Sequence, residues 1–117
     1  MQINSKKKGA EGEREWAHFV NQYGFECRRT AQYCGKSGEA ADVIGIEGIH
    51  QEVKRVEHLN IYDAMAQAQR DCGENMPIVA HRRNNKPWLV TMRAEDFLEL
   101  LTKAQKYDTI ITQGASL

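Results

Sequence analysis

The chain has 117 residues, 41% of them hydrophobic and 27% charged, with 16 Lys/Arg balanced by 16 Asp/Glu and only two prolines. That length and composition suit one compact α/β domain and argue for a soluble protein rather than a membrane or disordered one. No apolar run approaches a membrane span, and three cysteines without a C-x-x-C pair indicate neither a disulfide framework nor a zinc ribbon.

Charge is unevenly placed. Residues 1–40 carry a net +2, 41–74 a net −4, 75–93 a net +4 and 94–117 a net −2. An acidic middle flanked by basic stretches is what a polyanion-binding protein with a carboxylate cluster requires, although a solvated surface with chance unevenness gives the same sums. The opening MQINSKKKGAEGERE has no apolar stretch behind its lysines to make a signal peptide, so a cytoplasmic protein is expected. Lys6, Lys7 and Lys8 read as a basic arm over residues 1–8.

In chain order, the first helix is predicted over residues 9–23, where Trp16, Phe19, Val20 and Tyr23 form one apolar stripe and Gly24 supplies the stop. Glu13 extends that stripe by a turn, a carboxylate in line with the core-facing side. Residues 25–31 alternate as a strand, and QYCGKSGEA (32–40) is a loop. ADVIGI and IHQEVKRV then form a hairpin around Glu47-Gly48. Ile61, Met65, Ala68 and Cys72 define a second helix that stops at Gly73. Strands follow at 77–83 and 86–92 around the Asn84-Asn85 turn. Residues 94–106 place Phe97, Leu98, Leu101 and Ala104 on one helical face, and 107–117 reads as a short tail. The order is α-β-β-β-α-β-β-α, a mixed sheet with helices on its faces; the core is expected over about 7–106.

The chemistry concentrates between Asp42 and Lys54. Glu52 and Lys54 lie two apart on one strand and so share a face, while Val53 points the other way. Ionisable groups among Val and Ile in mid-sheet are costly unless paired or bound to metal. A solvated Glu52-Lys54 ion pair would explain two of them; a metal site explains all. Hydrolysing a phosphodiester needs charge neutralised on the phosphoryl oxygens and a nucleophile made from water, and Mg²⁺, for which Mn²⁺ substitutes, does both with carboxylate and water ligands. Asp42, Glu52 and Glu13, with the Val53 carbonyl, could hold one or two such ions while Lys54 orients the water or the phosphoryl oxygens.

Register decides whether this can work. A two-residue loop at Glu47-Gly48 would set Asp42 opposite Val53, on the wrong face. A three-residue loop 46–48 with Gly48 left-handed pairs Gly45 with Ile49 and brings Asp42 opposite Glu52, so an irregularity is expected between the two acids.

KKGAEGEREW, GFECRRTA, ADVIGI and HQEVKRV, in that order and spacing, resemble the archaeal Holliday-junction resolvases and their phage-borne relatives in the PD-(D/E)XK nuclease superfamily, over about residues 7–92. The resemblance implies a restriction-endonuclease-like fold, a single nuclease domain and a Mg²⁺-dependent, structure-specific DNA endonuclease. It places the helix glutamate at Glu13, the metal aspartate at Asp42, the second acid at Glu52 and the lysine at Lys54. Ala41 stands where the superfamily's naming proline would be, and Ser37 is a loose match to a serine in the loop before the aspartate. Cutting two strands of a near-symmetric junction with one small site implies a homodimer. Alternatives are a nuclease for other branched or duplex DNA, or a non-catalytic DNA-binding module on this fold. Arg28, Arg29, Lys36, Arg82, Arg83 and Lys86 are candidate phosphate contacts. Gln67 or Gln69 could brace an active-site water or lysine. The four histidines show no zinc spacing, and Trp88 reads as core rather than as a base-stacking platform.

Overall fold

The computed structural model describes residues 5–30 and 41–115, with side chains described over 9–30 and 41–114. Three helices and five strands follow the expected order: α1 (Ser5–Asn21), β1 (Arg28–Arg29), β2 (Val43–Ile44), β3 (Ile49–Arg55), α2 (Ile61–Asp71), β4 (Met76–Arg82), β5 (Leu89–Met92) and α3 (Ala94–Ala115). The strands form one sheet in the order β1-β2-β3-β4-β5. Only β3 and β4 run parallel, joined by the α2 crossover; the other neighbours are antiparallel.

Each face of the sheet is covered by one helix. Trp16, Ala17 and Val20 of α1 pack on Cys27, Val43, Val53 and Ala80. Ala64, Met65 and Ala68 of α2 pack on Val79 from the other side. Gln51, wholly buried on the α1 face, accepts the Trp16 indole N–H at 2.8 Å, which satisfies both polar groups inside the core. The α2 boundaries follow their caps. Asn60 Oδ1 accepts from the Asp63 backbone N–H at 3.1 Å, and Gly73 beyond the C-terminus takes φ +56°.

Several boundaries differ from the sequence reading. The residues expected in a basic arm enter α1 from Ser5 onward, and α1 stops at Asn21, so Tyr23 lies beyond it and is 70% exposed; Phe19 is also at the surface. The first strand is reduced to Arg28–Arg29 because the Asn21 side chain satisfies Cys27 on both sides, accepting from its N–H at 2.6 Å and donating to its carbonyl at 3.0 Å. The expected tail is helical to Ala115, and the expected core face of α3 is exposed: Phe97, Leu98 and Leu101 are all open to solvent. Both sheet faces are already occupied by α1 and α2, which leaves α3 no apolar surface to bury. No helix among the described residues is long and apolar enough to cross a membrane.

Candidate active site

The β2–β3 register, Val43 with Gln51, is the one expected for a three-residue connection; inside it Ile49 N–H donates to Ile46 O at 3.2 Å around Glu47-Gly48, and Gly48 adopts φ +80°. Val43 pairs with Gln51, so one step along the antiparallel pair Asp42 stands opposite Glu52. Gly45, at φ +132°, passes so close to the 26–27 backbone that a Cβ would lie 2.5 Å from Cys27 Cα and from Glu26 O; only glycine fits. The turn thus locks the register while holding the hairpin against the segment leading into β1.

Because Val43, Gln51 and Val53 face α1, Asp42, Glu52 and Lys54 share the opposite, α2-covered face. Glu52 is 1% exposed. Burial, and secondarily the Asp42 carboxylate, push its carboxyl above the usual range, against the lowering effect of a hydrogen bond with His50. His50 Nε2 lies 2.9 Å from Glu52 Oε1, with both side chains buried. Asp42 Oδ2 accepts the Val53 backbone N–H at 2.8 Å. Lys54 Nζ donates to Gln67 Oε1 of α2 at 3.1 Å, whereas Gln69 is exposed.

Glu13 reaches the edge of this group from α1. Its carboxyl is also raised, by burial first and by Asp42, against the ion pair it makes with Arg29 Nε at 2.8 Å. The structure therefore sets Asp42 beside Glu52, places Lys54 on the same face, and leaves Glu13 near Asp42 but held by Arg29. Among the described residues no three His, Cys, Asp or Glu side chains are gathered into a metal cage. The donor set still suits a hard cation: two neighbouring carboxylates, one of them pushed toward its neutral form by burial first and then by the other. Mg²⁺ is commonly held by one or two carboxylates, with water completing its octahedron.

The candidate phosphate contacts divide. Arg29 is engaged with Glu13, and Arg82 lies 3.5 Å from Glu15 with its guanidinium 5.7 Å over Trp88. Trp88 is half-buried and lies 5.2 Å from Trp16, so it belongs with the core. Arg28, Arg83 and Lys86 are exposed. Arg83 and Lys86 line a cavity of about 470 Å³ with His58 and His81. His81 is the register partner of Lys54, so this basic groove continues the face that carries Glu52 and Lys54. Lys36 and Ser37 lie outside the described residues.

His50 was missed as a functional candidate. Its one signal was the i, i+2 spacing to Glu52, which places both on the same face of a strand.

Among the described residues, a five-stranded mixed sheet with three helices in the order α-β-β-β-α-β-β-α defines a resolvase-like α/β fold. Among solved structures it is similar to that of Hjc from Archaeoglobus fulgidus, a Holliday junction resolvase from an archaeal hyperthermophile, with a TM-score of 0.54 over 73% of this chain and 72% of that one. Sequence identity is 20%, so the likeness is one of fold. No family model and no curated protein matches the chain.

Proposed function

We propose that this chain is a Mg²⁺-dependent, structure-specific DNA endonuclease, a Holliday-junction resolvase that acts as a homodimer in the cytoplasm. The observation that carries the reading is the opposition of Asp42 and Glu52 across β2 and β3, with Lys54 on the same face, in a fold similar to that of a known resolvase. Mg²⁺, or Mn²⁺ in its place, would supply charge neutralisation at the phosphoryl group and a water acidic enough to attack it. Asp42 and Glu52 would hold the ion, with the Val53 carbonyl and Glu13 as further oxygen donors.

The chain's own groups do the rest. The Val53 N–H fixes one oxygen of Asp42, and His50 fixes one oxygen of Glu52, so each carboxylate is oriented before substrate arrives. Lys54, steadied by Gln67, holds an ammonium on the face that carries the carboxylates, where it would orient the attacking water or bind a phosphoryl oxygen. Arg83 and Lys86 extend positive charge along the same face for the DNA backbone.

The test is cleavage of a synthetic four-way junction with Mg²⁺, beside linear duplex and flap controls. Paired nicks across the branch, in preference to cutting of the controls, are the expected result. Equal cutting of all three substrates would identify a nuclease for other DNA, and binding without metal-dependent cutting would identify a non-catalytic module.

A further inference from the structure

Beyond its first turn α3 leaves the body of the molecule. Asp96 anchors that turn through Arg93 Nε at 2.7 Å, but among the described residues no strand or helix packs along the remainder. The molecule measures 65 Å in one direction against 31 and 25 Å in the others. Its radius of gyration, 16.3 Å, exceeds the roughly 13 Å of a compact chain of this size.

The projecting helix is not polar. Phe97, Leu98, Leu100, Leu101, Tyr107, Ile110 and Ile111 are each 41–65% exposed. A row this long, on a helix with little tertiary packing to hold it, is the mark of a surface that something covers.

The spacing says what covers it. Phe97, Leu100, Ala104, Tyr107, Ile111 and Gly114 follow one another at intervals of three and four residues, the a and d seam of a coiled coil. In this frame Lys103 is at g and Asp108 at e. A parallel pair sets g of one helix beside e five residues further along the other, so Lys103 of one copy meets Asp108 of the second, twice by symmetry. An antiparallel pair sets g against g and e against e, so Lys103 and Asp108 would not meet; the g acid that could face Lys103 there, Asp96, is already held by Arg93. The area is also adequate. The six half-exposed apolar side chains on or beside the seam, all but Leu98, offer on the order of 100 Å² each and give about 1,200 Å² over two copies, at the lower end of stable interfaces.

We infer that a second copy of this chain covers α3, forming a parallel two-stranded coiled coil with the two-fold axis along the rod. Since α3 leaves each body by its N-terminus, parallel pairing sets both bodies at one end, where two copies of the candidate site face a common substrate. Antiparallel pairing would put them at opposite ends of a rod about 33 Å long. Pairing through α3 is tested without DNA, so it stands or falls separately from the nuclease reading.

Light scattering on the purified full chain at micromolar concentration is expected to give twice the 13.4 kDa chain mass. The double substitution Leu100→Asp, Ile111→Asp is expected to give the single-chain mass, with unchanged fluorescence from Trp16 and Trp88 showing an intact body. Lys103→Glu or Asp108→Lys alone should raise the dimer dissociation constant roughly fivefold, and the two together should restore it. A monomeric wild-type chain, or a dimer that survives the double aspartate substitution, would overturn the inference. A charge-swapped double variant weaker than either single one would overturn the parallel arrangement.

Discussion

Asp42 is bound to the strand that carries Glu52: its Oδ2 accepts the backbone N–H of Val53 at 2.8 Å. The hydrogen bond crosses from the residue just before β2 to β3, so the aspartate is oriented by a backbone group that cannot rotate away. Its geometry exists only in the register set by the 46–48 turn, which ties the candidate chemistry to the hairpin.

Replacing Asp42 or Glu52 by Ala is expected to lower metal-dependent cleavage by more than about 100-fold while DNA binding persists, because neither side chain supplies positive charge to a phosphate. Binding is read by gel shift in EDTA and cleavage on the four-way junction. Undiminished cleavage by both variants would remove the site.

Arg83→Ala and Lys86→Ala should each weaken DNA binding and flatten the dependence of log K on log salt by about 0.9 for every phosphate that is no longer neutralised. Arg29→Ala and Arg82→Ala should change the slope less, since those guanidinium groups are committed to Glu13 and Glu15. Four equal slope changes would show that the internal ion pairs open on DNA.

Glu52 makes stability pH-dependent in a known direction. Its carboxyl titrates above the ordinary value of 4.5 in the folded chain, chiefly because of burial and then because of Asp42. The folded state therefore binds the proton more tightly than the unfolded state. The stabilisation from the protonated form is complete below about pH 4.5 and is lost as pH rises through the raised folded value. In EDTA, the urea midpoint of Glu52→Gln relative to wild type should climb as pH rises from about 4.5 through the raised folded value. A constant difference across that span would contradict the burial-driven shift.

Gly45→Ala forces a methyl group against the Cys27 and Glu26 backbone at a positive φ. The expected cost is about 2–4 kcal/mol, read by urea unfolding, with loss of cleavage as β2 shifts Asp42 away from Glu52. Gly48→Ala has open space around it and a left-handed φ, so strain alone should cost roughly 1 kcal/mol. Equal costs at the two positions would show that the close approach at Gly45 does not constrain the turn.

What the sequence by itself determined is what depends on neighbours along the chain. The α2 stripe with its Gly73 stop and the Asn85 turn at φ 60° follow from side-chain period and turn chemistry over a few residues, whereas the register that opposes Asp42 to Glu52 was legible only through the chemistry that two acids sharing a cation would need. Partners distant in sequence were not legible this way. That Lys54 meets Gln67 rather than Gln69, that Glu13 is held by Arg29, and that Arg82 turns to Glu15 depend on how α1 and α2 lie across the sheet. Helix α3 shows the limit most sharply. Its apolar face was plain in the sequence, but periodicity says only that a face must be covered, and which surface is free to cover it is decided once α1 and α2 have taken both sides of the sheet.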